Sequence, residues 1–237
     1  MTDLTGTVAL ITGASRGIGA AVAVEFARRG AQCVLVARTQ GGLEETDDAI
    51  RAAGGKPASL LPLDLVKQAD KIDMIGPSVV ERFGRLDILV HNAGALGTLT
   101  PVAHITPKDW ADTVGVNLTA TWRLIRTCEP PLRAAPAGRA VFVTTGRVAR
   151  PKAYWGAYGA TKAGMEHLVL TWAQEVAGTA IRANLFDPGI VATQMRATAM
   201  PGEDPSGLQK PADVAPEIVA LCGPDEVRNG AVVRAGG

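Results

Sequence analysis

Tyr158 and Lys162 stand four residues apart in YGATK. The segment has a helical pattern, so both side chains lie on one helical face within reach of a common ligand. An ammonium beside a phenol favours the phenolate, so the spacing predicts a tyrosine pKa below the ordinary value of roughly 10 and a side chain that works as acid and base. A second feature is TGASRGIG at residues 12–19, where Gly13, Gly17 and Gly19 follow a strand-like run and open a helix-like one. At such a turn the backbone can approach a pyrophosphate while helix N–H groups point at its charge. Dinucleotide folds that take NAD carry an acid at the tip of the second strand, but here Val36 and Ala37 are followed by Arg38. Arg38 and Arg16 offer two guanidiniums whose forked hydrogen bonds suit a 2′-phosphate, so the expected cofactor is NADP(H). Asp64, in LPLDL, is placed either to accept from an adenine amino group or to cap a helix.

These groups need elements to hold them. Apolar strand-like runs at residues 7–11, 32–37, 56–61, 86–91, 139–145, 180–186 and 231–234 alternate with helix-like runs at 20–29, 41–53, 67–83, 107–128, 155–176 and 212–221. Strands that are nearly all apolar belong to a parallel sheet buried on both faces. The expected fold is therefore α/β, a doubly wound parallel (Rossmann) sheet of about seven strands with helices on both faces. No linker splits the chain, so residues 1–237 are expected to form one domain. The only long irregular stretch, 193–211, carries a candidate substrate lid at about 194–211, and the turn from 147 to 156 is expected to shape the pocket beside it. Tyr154 and Trp155, just before the Tyr158 helix, either wall that pocket or pack elsewhere.

Composition narrows the partners. Twenty-four Lys and Arg against 23 Asp and Glu leave a net charge of +1 over 237 residues, with 47% hydrophobic and 20% charged side chains. No field draws the chain to nucleic acid or an anionic membrane, and no run approaches the roughly 20 apolar residues of a membrane span. Cys33, Cys128 and Cys222 are odd in number and far apart, which argues for reduced thiols in a cytoplasmic protein and against a disulfide framework or zinc site. His91, His104 and His167 show no metal spacing.

Together the motifs resemble the short-chain dehydrogenase/reductase superfamily along essentially the whole chain: TGASRGIG, NAG at residues 92–94, VNLTA around Asn117, YGATK, and DPGIVAT at residues 187–193. The later MRATAMPGEDP is similar to a bacterial oxidoreductase branch of unassigned substrate. The resemblance implies that Tyr158 donates a proton to a substrate carbonyl while Lys162 holds the nicotinamide ribose. It places a relay water at Asn117 and brings Asn92, Ala93 and Gly94 against the cofactor. Pro188, Gly189, Val191 and Thr193 would border the nicotinamide, with Ser15, Ile18 and Leu65 as further cofactor contacts. The family's serine 13 residues before the tyrosine is replaced by Thr145, which retains a hydroxyl but narrows the pocket by a methyl. Thr144, next to it, should point the opposite way.

The reading is thus an NADP(H)-dependent enzyme acting on a ketone or secondary alcohol. Its alternatives are a 3-oxoacyl thioester reductase and a catalytically weak NADP(H)-binding sensor. By the same resemblance, the helices at 107–128 and 155–176 pair with those of a second subunit, in a homodimer or homotetramer.

Overall fold

A computed structural model describes residues 2–236. Seven strands, β1 (Val8–Thr12), β2 (Gln32–Ala37), β3 (Ser59–Pro62), β4 (Ile88–His91), β5 (Arg139–Val143), β6 (Arg182–Asp187) and β7 (Val232–Arg234), form one sheet in the order β3-β2-β1-β4-β5-β6-β7. Every pairing is parallel. The expected doubly wound α/β architecture is present.

Alternation along the strands builds two cores. In β1, Ala9 and Ile11 face one side, beneath α1 (Gly17–Arg28), α2 (Gln40–Ala52) and α8 (Pro211–Ala220), while Val8 and Leu10 face the other. That second side is covered by α3 (Ile75–Phe83), α5 (Ala120–Ala134) and α6 (Gly156–Glu175). Because both faces are shielded, the central strands carry no polar face to signal orientation.

The order reverses direction beside β1, whose neighbours are β2 on one side and β4 on the other, with Thr12 in register with His91. Chain leaving β1 and β4 must diverge to opposite faces, which opens a crevice at their carboxyl ends. Gly13 turns there with φ 66°, and a methyl on it would lie 2.8 Å from the Asn92 amide nitrogen and 2.9 Å from the Ala93 backbone. A methyl on Gly19 would run into the Gly13 carbonyl and the same Asn92 amide. Both glycines therefore let the two loops close on each other.

Three local expectations change. The run at 107–128 is not one helix: α4 (Pro107–Val114) passes into a π-helical stretch, Gly115–Thr119, before α5, which continues through Pro130 and Pro131. The run at 67–83 begins as a 3-10 turn, Ala69–Met74, before α3. The stretch at 193–211 is not irregular, since it holds α7 (Gln194–Ala199) and a 3-10 turn, Pro205–Gly207, and a bridge from Val191 to Gln209 pins its base. Short prolyl and glycyl segments hide such single turns from periodicity, which needs two or more turns to register.

Candidate active site

Along the carboxyl ends of the strands runs a cleft of about 820 Å³. At one end the turn after β1 presents Gly13, Ser15, Arg16, Gly17 and Ile18. Gly17 takes φ 59°, and Arg16, the residue preceding α1, is extended with no side-chain cap on the helix. The first turn of α1 holds no acid, so its N–H groups are left as donors for an anion. Arg38 follows β2 and lines the same end, and both arginines are exposed, with no ion pair among the described residues. Leu65 also lines this end.

Asp64 does not. Its Oδ1 accepts from the Val66 N–H at 2.9 Å and the Lys67 N–H at 3.0 Å, which closes the turn after β3 and caps no helix, since the next helical segment begins at Ala69.

In the middle, Asn92, Ala93 and Gly94 leave β4. A methyl on Gly94 would sit 3.6 Å from Asn117 Oδ1 and 3.8 Å from Lys162 Nζ, which locates the glycine against the two polar groups behind it. Asn117 is fully buried in the π-helical stretch. Its Oδ1 accepts from the Ala95 N–H at 2.8 Å, and its Nδ2 donates to the Ala95 carbonyl and the Thr161 hydroxyl, each at 2.9 Å. The widened turn of a π segment is what frees a side chain to reach sideways in this manner. Asn117 does not itself line the cleft; it clamps the loop after β4 to α6.

The chemical end gathers Thr145, Tyr158 and Lys162. Lys162 donates from Nζ to the Val143 carbonyl at 2.8 Å and lies near Met165 Sδ at 3.6 Å. Burial pushes its pKa down to about 8, opposed by the charge of Glu166. Tyr158 corrects an expectation. Burial pushes the phenol up to about 12, and the Thr145 hydroxyl, aimed at it, opposes this shift while the Asp187 charge adds to it. Desolvation of the phenolate outweighs any help from a neighbouring ammonium that is itself desolvated. Thr144 faces away, its hydroxyl donating to Glu166 Oε1, as the alternation of an extended chain requires.

Pro188, Gly189, Val191 and Thr193 close the far wall. Thr193 Oγ1 accepts from the Arg196 N–H at 3.2 Å and caps α7, while its methyl faces Gly17. Trp155 lines the cleft edge-on to Tyr158, with ring centroids 5.8 Å apart, whereas Tyr154 is exposed, at φ 75°, outside it. Five charged lining residues went unassigned in sequence: Arg147, Arg150, Asp187, Arg196 and Arg234. Arg147 and Arg150 lie in or beside the turn expected to shape the pocket, and Asp187 opens DPGIVAT, but nothing in the spacing marked their charges as functional. Elsewhere, all three cysteines are free and buried. His91, also buried, pairs its Nδ1 with the Thr12 hydroxyl at 2.8 Å.

The chain is matched over residues 7–204 by the family model for short chain dehydrogenase, and it belongs to that family of oxidoreductases. It is 35% identical over 222 residues to the oxidoreductase YciK of Escherichia coli K12, covering 93% of this chain and 88% of that one. A solved short chain dehydrogenase from Pseudomonas syringae is 39% identical with a TM-score of 0.94, covering 98% of this chain and 95% of that one. Another, from Shigella flexneri 2a, was solved in complex with NADP; it is 33% identical over the whole of both chains, with a TM-score of 0.94. No helix among the described residues is long and apolar enough to cross a membrane.

The depressed pKa of Lys162 has a consequence for stability. Below about pH 8 the folded chain carries a buried ammonium that the unfolded chain keeps hydrated, and between about 8 and 10.5 the unfolded chain binds the additional proton. Stability from this group therefore rises with pH across that window. Lys162→Met is expected to be more stable than the parent at pH 7 by about 1–3 kcal/mol, after the lost carbonyl hydrogen bond is allowed for. The margin should shrink as pH rises through the window. Thermal melts across that range check this, and a variant less stable at pH 7 would contradict it.

Proposed function

We propose that the cleft binds NADP(H) and transfers a hydride between the nicotinamide and a ketone or secondary alcohol. The observation that carries the reading is that Thr145, Tyr158 and Lys162 line one end of the cleft together, with the buried phenol and the buried ammonium on the same helix. The residues fit the cofactor. Two unpaired arginines, Arg16 and Arg38, suit a 2′-phosphate. The open N-terminus of α1 at Ser15, Gly17 and Ile18 suits a pyrophosphate, and Leu65 gives the adenine an apolar wall. Asn92, Ala93 and Gly94 border the middle of the cleft, and Pro188, Gly189, Val191 and Thr193 border the nicotinamide. NADP(H), when bound, supplies or accepts the hydride.

Tyr158 is held as the neutral phenol at physiological pH, so it is charged with the proton a carbonyl oxygen requires as it becomes an alcohol. The Thr145 hydroxyl donates to the same oxygen as negative charge develops on it. Lys162 orients the ribose hydroxyls and sits behind the phenol. Asn117 fixes the loop that carries Gly94 and so holds the space between Lys162 and the cleft, where a relay water belongs. The segment at 194–211 covers the substrate side, with Arg196 held to Glu203 through two hydrogen bonds.

A second copy of the chain completes the reading. Trp122 on α5 is 46% exposed and lines a groove between α5 and α6, where Ile125, Leu168 and Trp172 are flanked by Arg126, Glu129, Thr171 and Glu175. An exposed tryptophan within a polar rim suits a homodimer or homotetramer, and light scattering should return a mass above the 24.5 kDa of one chain.

Two experiments test the chemistry. Thr145→Ser should retain activity and Thr145→Ala should lose on the order of 10²-fold in kcat, with Tyr158→Phe more damaging and NADPH affinity kept in all three. Parent-like turnover in both Thr145→Ala and Tyr158→Phe would remove the assignment. Fluorescence titration should show NADPH binding tighter than NADH by at least about 1.4 kcal/mol, a factor of ten, and Arg38→Asp should reverse the order. Equal affinities in the parent would contradict the cofactor choice.

A further inference from the structure

We infer that the substrate bears an oxyanion, a carboxylate or phosphate a short distance from its carbonyl, which Arg147 and Arg150 bind. The inference rests on the hydride-transfer reading of the same cleft and names its substrate class.

The charge lining the cleft is nearly all positive, and part of it is already engaged. Arg16 and Arg38 lie at the glycine-rich end, Lys162 donates to the Val143 carbonyl, and Arg196 is paired with Glu203. Asp187 is the only carboxylate among the described lining residues. Its Oδ1 accepts from the Gly189 N–H at 3.1 Å, and its Oδ2 faces Arg234 at 3.9 Å. That leaves Arg147 and Arg150, neither of which has a hydrogen-bonded or ionic side-chain partner among the described residues.

Arg147 is placed at the chemical end, and the exposed Arg150 lines the same cleft three residues on. The Arg147 N–H donates to Thr145 Oγ1 at 3.3 Å, tying its backbone to the residue that faces the phenol. Its guanidinium carbon lies 5.7 Å from the centre of the Trp155 ring, whose centre is 5.8 Å from that of Tyr158. The guanidinium is thus no farther from the phenol ring than those two spacings end to end. A cation–π contact steadies the guanidinium while its N–H groups have no hydrogen-bond partner among the described residues, and such a group can receive an oxyanion through a forked pair. A neutral substrate in this position would cover an unpaired cation and desolvate it without recompense. The short reach favours an acid group on the reacting molecule itself over the distal phosphate of a carrier-bound pantetheine arm.

The test uses the full chain with NADPH and matched pairs: levulinate against methyl levulinate, and acetylbenzoate against its methyl ester. The acid should exceed the ester in kcat/KM by at least about tenfold, and the preference should weaken with added salt. In Arg147→Gln/Arg150→Gln the ratio should fall to about unity, whereas the double lysine variant should retain part of it. Thermal shift of the NADP-loaded protein by the corresponding hydroxy acids and hydroxy esters reads the same preference without turnover. Esters reduced as well as acids, or a preference that survives the double glutamine variant, would overturn the inference while leaving the hydride-transfer reading intact. Absent turnover of either class, with an acid-selective thermal shift abolished by the same variant, would uphold the oxyanion site and remove the catalytic reading. A pantetheine thioester preferred over both small classes would also overturn it, in favour of a carrier substrate.

Discussion

The ammonium of Lys162 lies in the interior with a backbone carbonyl and a thioether as its close partners, and the surrounding structure is organised by the need to hold that charge there. A buried ion without a carboxylate in hydrogen-bond contact is costly, and the cost appears as the fall of its pKa to about 8. Glu166 is near enough to offset part of this electrostatically, but its carboxylate is turned to the Thr144 hydroxyl. Strand β5 supplies the Val143 carbonyl, the π-helical stretch supplies Asn117, and Gly94 leaves the space between them. Each is a local irregularity or a main-chain group rather than a counter-charge. Such a site stays open to a ligand's hydroxyls, where a carboxylate would have closed it.

The same economy of negative charge runs along the whole cleft. Unpaired arginines mark its two ends, and the single lining carboxylate among the described residues is spent on a backbone N–H and on Arg234. Tyr158, between these ends, is kept neutral by burial and by the Asp187 charge. The cations of the cleft can remain free because Asp187 is the one carboxylate among its described lining residues. The potential thereby favours anionic ligands along its length.

Much of the fold was legible because parallel strands covered on both faces read as apolar runs, and all seven were found from that pattern, with ends displaced by a few residues. The glycine-rich turn and the Tyr158–Lys162 spacing were legible for a different reason: φ > 0 turns and four-residue helical spacing each leave a sequence signature. The π-helical stretch had none, since a single widened turn does not alter periodicity enough to show. Asp64 was ambiguous because a carboxylate after a strand can meet a ligand or cap a helix, and spacing does not show that it accepts from the Val66 and Lys67 N–H groups of a turn. The direction of the Tyr158 shift was misjudged because sequence shows which charges are neighbours but not how much water each has lost. Arg147 and Arg150 carry no signal in spacing, and only the fold shows that they line a cleft whose one described lining carboxylate is Asp187.

The account stands on a lysine that is buried, charged at neutral pH and without a carboxylate hydrogen-bond partner. Its most direct measurement is an NMR titration of the protein carrying ¹³C-labelled lysine, with the Lys162 signal assigned by its loss in Lys162→Arg. A midpoint near 8, well separated from the other lysines, is the result this structure predicts. A midpoint at the ordinary value of 10.5 would show a hydrated ammonium and contradict the account.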